Sequence, residues 1–256
     1  MRLDEFLYTN NYFDSRTKAN QAIKRGEVYV NGKLTDKPSF LILDNQNNIE
    51  IKREVSFVSL GGYKMHKALS DFSVNVHDLI CLDVGASTGG FTDCLLQNGA
   101  SKVYTVDLNN DLLHSKLKLD TKVVSIVKNA KFLTQNDFID TLDLLTADLS
   151  FISETVVLPI FYNLLEVGKK AIILIKPQFE QDKKIKAKNG ILKEMSHLIN
   201  ACRKVYDYSI DCGFCVKGLT VAPLVKKKNV EFLILLEKSD ENSMPFDYLL
   251  NKCDKF

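Results

Sequence analysis

From residue 79 to residue 236 the chain repeats one pattern: a short apolar run, then a longer stretch with apolar residues at helical spacing. That alternation permits few folds, because buried strands joined through helices make a parallel sheet with right-handed crossovers. Expected strands are 79–83, 103–107, 123–127, 142–148, 171–175, 214–221 and 230–236; expected helices include 91–97, 152–165 and 195–211. The expected class is therefore α/β, a Rossmann-like domain on a seven-stranded, mostly parallel sheet. The apolar runs 171–175 and 232–236 span five residues each, far short of the ~20 needed to cross a bilayer.

Composition adds mainly exclusions. Lys and Arg number 34 against 32 Asp and Glu, a net charge of +2, so any nucleic-acid argument rests on clustering. Six cysteines at 81, 94, 202, 212, 215 and 253 are too scattered for a secreted disulfide framework. Cys212 and Cys215 lack the second ligand pair that structural zinc needs, and His66, His77, His114 and His197 show no ligand spacing. No metal is expected. Arg2, Asp4 and Glu5 interrupt Leu3, Phe6 and Leu7, so the start lacks the apolar core of a secretory signal. A cytoplasmic protein without membrane association is the expectation.

At the N-terminus, Leu3, Phe6 and Leu7 fall at i, i+3, i+4, and Ala19, Ala22 and Ile23 repeat that spacing behind a possible N-cap at Asp14 or Ser15. Two short helices follow. Gly26 ends the second, and Val28-Tyr29-Val30 leads as a strand into Asn31-Gly32, a hairpin signal, with a second strand through Leu34-Thr35 before Pro38. Between residues 16 and 33, Arg16, Lys18, Lys24, Arg25 and Lys33 stand against Glu27 alone. This basic face suits either a solvated helix or an RNA surface.

The first strand of the larger region ends in Asp83-Val84-Gly85-Ala86-Ser87-Thr88-Gly89-Gly90 and leads straight into a helix. Glycine lets the backbone approach a ligand closely, but the spacing is neither a dinucleotide fingerprint nor a Walker loop. Asp107 closes the second expected strand, where a carboxylate can accept hydrogen bonds from both hydroxyls of a ribose. Loop and acid together resemble the S-adenosylmethionine site of Rossmann-like methyltransferases.

Charges also flank later strands, in Ala147-Asp148-Leu149-Ser150-Phe151-Ile152-Ser153, Ile175-Lys176-Pro177-Gln178-Phe179-Glu180 and Asn229-Val230-Glu231-Phe232, while Gly61-Gly62-Tyr63-Lys64 precedes the first strand. Groups beyond the carboxyl ends of parallel strands converge at one crevice, so Asp148 and Lys176 can meet beside Gly85. Glu231, at the start of its strand, can join them only if that strand runs antiparallel.

Two resemblances connect these parts. Arg2-Leu3-Asp4, Ser15-Arg16, Lys18-Ala19, Gly26-Glu27-Val28, Val30-Asn31-Gly32 and Lys37-Pro38-Ser39 look like the RNA-binding domain named for ribosomal protein S4, over residues 1–52. Over residues 1–238 the four charged motifs resemble the TlyA (hemolysin A) family, whose catalytic half is similar to FtsJ-type ribose 2′-O-methyltransferases. The implied organisation is an α+β S4-like domain at 1–54, a linker at 55–60, a methyltransferase domain at 61–240 and a tail at 241–256.

The resemblance implies a tetrad of Lys64, Asp148, Lys176 and Glu231 that methylates cytidine 2′-hydroxyls of ribosomal RNA with S-adenosylmethionine. Asp83, Gly85, Ala86, Ser87, Thr88, Gly89, Gly90, Asp107, Asn129 and Asp148 would hold the cofactor. Arg16, Lys18, Lys24, Arg25, Asn31 and Lys33 would hold RNA, with ribosomal subunits as partners and no obligate protein partner. Lys183, Lys184, Lys186 and Lys188, with Lys226, Lys227 and Lys228, are expected to add phosphate contacts.

A ribose hydroxyl is a weak nucleophile, so attack on a sulfonium methyl benefits from a positioned base. Lys176 is assigned as that base and Lys64 as its like-charged neighbour, with Asp148 and Glu231 holding the ammonium groups. The chain departs from the family at Leu60, Lys131 and Ala222-Pro223, outside the tetrad. The rival reading is a non-catalytic ribosome-associated factor. A membrane-lytic protein, the literal sense of hemolysin, fits poorly with the absence of any long apolar segment.

Overall fold

The computed structural model describes residues 1–13, 15–24, 26–42, 47–51, 56–181, 191–192, 194–225 and 228–253, and the chain divides into two compact units, Met1–Ser56 and Phe57–Phe256.

In the first unit, α1 (Leu3–Thr9) buries Leu3, Phe6 and Leu7 against Ala19, Ala22 and Ile23 of α2 (Arg16–Lys24). Ser15 caps α2, its Oγ accepting from the Lys18 amide at 3.2 Å; Asp14, the alternative cap, lies outside the described residues. Strand β1 (Val28–Val30) pairs antiparallel with β2 (Lys33–Leu34) and with β3 (Ile49–Ile51). Asn31 and Gly32 both take positive φ, 52° and 75°, the turn whose twist matches a two-residue hairpin. The second strand stops at Leu34, one residue short of the sequence reading, and β3 is an addition to it, three residues being too few to show a period.

Asp4 is a buried charge of the unit, 3% exposed, and accepts from Arg2 Nε at 3.0 Å and Arg16 Nε at 3.1 Å. Burial would raise its carboxyl, but the hydrogen bonds from Arg2 and Arg16 hold it down at about 2. A folded value below the unfolded one gives stability that is present above about pH 4 and lost as pH falls through about 2. Because both arginines are half-exposed, Asp4→Asn is expected to destabilise the unit by about 1–2 kcal/mol at neutral pH. Amide exchange of α1 and α2 in the full chain checks this, and equal protection in wild type and variant would refute it.

The second unit begins with α3 (Leu60–Asp71) and then alternates: β4 (Ile80–Val84), α4 (Gly90–Gln97), β5 (Lys102–Asp107), α5 (Ser115–Lys118), β6 (Val123–Val127) and β7 (Leu144–Ala147). There follow α6 (Leu158–Leu164), β8 (Lys170–Ile175), α7 (Pro177–Glu180), α8 (Met195–Asp211), β9 (Cys215–Val221), β10 (Phe232–Glu237) and α9 (Phe246–Lys252). The sheet order is β6-β5-β4-β7-β8-β10-β9. Neighbours from β6 to β8 are parallel, and β10 runs antiparallel to both β8 and β9.

From β5 to β9 both faces of the sheet are covered, as continuous apolar strands require, while the edge strand β6 is half-buried to exposed. Leu82 and Val84 of β4 pack with Phe161 of α6 and Cys202 of α8, and Phe246 of α9 extends that cluster. On α3 and α4, close approach depends on glycine: a Cβ on Gly90 would lie 2.8 Å from the Gly62 backbone nitrogen.

Two expected elements change. The helix expected at 152–165 is a single 3-10 turn, Glu154–Val156, followed by α6. Pro159, in the first turn of α6, has no N–H to extend a helix from upstream. The strand expected at 142–148 contracts to Leu144–Ala147, and the last strand starts at Phe232 rather than at 230.

The six cysteines are free, with Cys81, Cys94, Cys202 and Cys215 buried and Cys212 and Cys253 half-buried. Among the described residues no three metal-ligating side chains cluster, and no helix is long and apolar enough to cross a membrane.

Candidate active site

Successive strands leave β4 in opposite directions, β5 and β6 to one side and β7 and β8 to the other. This switch point opens a crevice at the carboxyl ends of β4 and β7, and the glycine loop fills its floor. Gly85, at φ +80°, donates its amide to Val106 O at 2.8 Å, and a Cβ there would stand 2.6 Å from the Asp148 carbonyl oxygen. Gly89, at φ +89°, leaves no room for a Cβ beside Leu117. Ser87 takes φ +49° and gives its amide to Asp107 Oδ2 at 2.8 Å.

Asp83 lies beneath this loop, fully buried, accepting from the Thr92 amide at 3.0 Å and the Thr92 hydroxyl at 2.6 Å. Burial pushes its carboxyl up to about 7, against the pull of the Thr92 bonds. The sequence reading placed Asp83 on the cofactor; the structure also gives it the task of tying the end of β4 to the first turn of α4.

Two cavities meet over the loop and share Gly85, Ser87, Asp148 and Ser150. The smaller, about 160 Å³, reaches Asp83, Gly90 and Lys176. The larger, about 570 Å³, is walled by Asp107, Leu108, Leu112, Asn129, Ala130 and Ile152. Each Asp107 oxygen accepts one backbone amide, from Ser87 at 2.8 Å and Leu108 at 2.7 Å. Asn129 accepts from the Lys131 amide at 3.0 Å and so caps the short turn Ala130–Phe132. Thr88 and Ala86 belong to the loop, Ala86 donating to Val106 O at 3.2 Å.

Lys176 and Asp148 wall the smaller cavity, and Lys64 and Glu231 join them in one charged cluster. Lys176, the N-cap of α7, places Nζ 2.6 Å from Asp148 Oδ1, and Lys64 of α3 places Nζ 2.5 Å from Glu231 Oε2 and 4.0 Å from Asp148 Oδ2. All four are between 11 and 21% exposed. Glu231 arrives because β10 is antiparallel: Phe232 stands opposite Ile175, so the residue before it comes alongside Lys176.

Other contacts escaped the sequence reading. Lys176 Nζ also donates to Ser150 Oγ at 2.7 Å. Phe151, 90% exposed at φ +65°, sets its ring 5.1 Å from that of Phe179. Glu180 accepts from Ser153 Oγ at 2.5 Å and from the Glu154 amide at 2.8 Å. The Glu154 carboxyl, 2% exposed, is raised well above the usual carboxylate range by burial and by Glu180 and Asp148. The serines stood in the quoted motif, but nothing in their spacing announces a partner about one strand and helix away.

Among the expected RNA residues, Lys18, Lys24 and Lys33 are exposed. Arg16 is turned toward Asp4, and the Asn31 side chain bonds to Asn47 and to the Asn48 amide, which assigns it to the turn. Arg25, Lys183, Lys184, Lys186, Lys188, Lys226 and Lys227 lie outside the described residues, and Lys228 is exposed.

Comparison with known proteins agrees with both units. The FtsJ-like methyltransferase model matches residues 57–238 and the S4 domain model residues 1–47. Hemolysin A of Brachyspira hyodysenteriae is 41% identical over 91% of this chain and 98% of its own length. The 16S/23S rRNA (cytidine-2′-O)-methyltransferase TlyA of Mycobacterium tuberculosis is 31% identical over 95% of this chain and 92% of its own. A solved structure of a hemolysin-named protein from Streptococcus thermophilus superposes with TM-score 0.72 at 35% identity, covering 98% of this chain and 94% of that one.

Proposed function

The chain belongs to the TlyA family of FtsJ-like methyltransferases, and from that premise we propose that it methylates the 2′-hydroxyl of a cytidine ribose in ribosomal RNA, with Lys176 as the proton acceptor. The observation that carries this reading is the Lys176–Asp148 pair at 2.6 Å, set in the wall of the cavity over the glycine loop.

The crevice suits S-adenosylmethionine by its donor set. Each Asp107 oxygen keeps a lone pair beyond its backbone bond, enough for the two hydroxyls of an adenosine ribose. Leu108, Leu112, Ala130 and Ile152 offer an apolar slot for a base, and Asp83 and Asp148 give the smaller cavity acidic walls for an ammonium. Bound there, the cofactor supplies a sulfonium methyl group whose carbon–sulfur bond breaks as a ribose oxygen attacks in line.

Lys176 Nζ takes the proton of the attacking hydroxyl, and Asp148 holds the ammonium that results. Lys64, neutralised by Glu231, steadies the other Asp148 oxygen. Phe151 offers an exposed ring at the rim for an unstacked base.

Lys18, Lys24 and Lys33 are assigned to RNA phosphates. Replacing all three with glutamine is expected to weaken binding to ribosomal RNA and to reduce the slope of log affinity on log salt by ~2–3. Fluorescence anisotropy at several salt concentrations reads the slope, and an unchanged slope would remove these residues from the interface.

The reaction is tested by tritium transfer from labelled S-adenosylmethionine to separately purified small and large ribosomal subunits lacking the modification. Label in 2′-O-methylcytidine of one subunit, absent with Lys176→Ala, is the expected result. Cofactor binding without label in either subunit would favour the non-catalytic RNA-binding reading.

A further inference from the structure

We propose that Ser150 is a positioning residue of the proton transfer, fixing the direction in which the Lys176 amine presents its lone pair; this rests on Lys176 being the proton acceptor.

A neutral amine has two N–H donors and one lone pair, disposed tetrahedrally with its carbon. Lys176 Nζ donates to Ser150 Oγ at 2.7 Å, and it meets Asp148 Oδ1 at 2.6 Å as an ion pair without hydrogen-bond geometry. Among the described residues it has no third polar partner. Ser150 is therefore the one hydrogen-bond acceptor that orients the amine among the described residues: with one N–H fixed on it and Asp148 attracting the other, the lone pair is turned away from both. Lys176, Asp148 and Ser150 all wall the smaller cavity, where the reacting hydroxyl is proposed to lie. With Asp148 alone, the amine turns about its Cε–Nζ bond and exchanges lone pair for N–H at the reacting position.

Ser150 is held in place from both ends. Asp148, two residues before it, is paired with Lys176, and Ser153 and the Glu154 amide, just after it, bond to Glu180. Lys176 and Glu180 bracket the single turn α7, so two clamps join the same two segments. Between them Phe151 takes φ +65°, a conformation that costs a non-glycine residue about 1–3 kcal/mol and persists only where its surroundings impose it. The charges facing Lys176 are Asp148, with Lys64 and Glu231 beyond it, Asp83 beneath the loop, and the buried Glu154 and Glu180, the latter paired with Lys204. None of these accepts a hydrogen bond from the amine, which leaves that task to the serine.

The test compares Ser150→Ala, Ser150→Cys and Ser150→Thr in the full chain, by kcat and by KM for cofactor and RNA. Alanine and cysteine remove the good acceptor, cysteine at nearly constant volume; threonine keeps it. The expected result is kcat about tenfold lower for Ala and Cys, a modest misplacement cost, with both KM values within about twofold and Thr near wild type. Wild-type kcat in the cysteine variant, a loss in KM rather than kcat, or failure of threonine to restore the rate would each overturn the proposal. Full activity of Lys176→Ala would instead overturn the assignment of the base, so the two failures are distinguishable.

Discussion

Replacing Lys176 by alanine is expected to slow methyl transfer about 10²- to 10⁴-fold, the range that a lost general base commands, while cofactor affinity stays within a few-fold. The second half follows from geometry. Asp107, the proposed ribose acceptor, and the apolar slot beside it belong to the larger cavity, which Lys176 does not wall. Asp148 also keeps a cation within 4.0 Å in Lys64, so the variant does not strand an unpaired carboxylate and its melting temperature should move little. Lys176→Arg sharpens the point. A guanidinium keeps the positive charge but does not give up its proton, so arginine should be nearly as inactive as alanine. Single-turnover methylation with calorimetric cofactor titration separates the readings: an active arginine variant would mean that the site needs a charge rather than a base.

The second large effect is expected at Gly85. Its φ of +80° is a left-handed conformation that costs an L-residue about 1–2 kcal/mol. A Cβ there would also stand 2.6 Å from the Asp148 carbonyl oxygen and 3.1 Å from its carbonyl carbon, backbone atoms that cannot swing aside. Gly85→Ala must push β4 and the Asp148 segment apart, so it should destabilise the second unit by about 2–4 kcal/mol and weaken cofactor binding at least tenfold. Gly168 is the control. It has a similar φ of +84° with nothing within 4 Å of its would-be Cβ, so Gly168→Ala should cost only the conformational penalty and leave activity intact. Urea unfolding with cofactor titration compares the pair, and equal behaviour of the two variants would mean that the contact with Asp148 does not matter.

Both positions lie in the part of the molecule that was easiest to read from sequence. Strands buried on both faces leave an apolar run that survives any detail of packing, so β5 and β8 fall within a residue of their expected bounds, and the exposed edge strand β6 matches its bounds through its run of β-branched residues. The glycine loop was legible for a similar reason, since close backbone approach admits no other residue. What stayed hidden depends on groups brought together by tertiary structure. Arg16 carries the charge of an RNA contact, yet folding gives it Asp4, twelve positions earlier, as a partner. Glu180 stood in a quoted motif without a role until Ser153 and Glu154 were seen to lie against it. The helix expected through 152–165 shows the limit of periodicity: the apolar spacing is helical, but Pro159 divides the segment.

The reversed strand β10 bears on how such a chain comes off the ribosome. In sequence β9 precedes β10, but in the sheet β9 lies beyond it, at the edge, and pairs with no other strand among the described residues. As the chain emerges from its N-terminus, the apolar strand β8 is left as an open edge, and β9 has no site on which to dock until β10 follows. The two must then pair with each other and join the sheet as a hairpin. The same arrival delivers Glu231 to Lys64, which was synthesised near the start of the unit. A nascent chain therefore cannot assemble the Lys64–Glu231 pair while β8 is still an open edge, and the step that covers that edge is also the one that completes the proposed catalytic cluster.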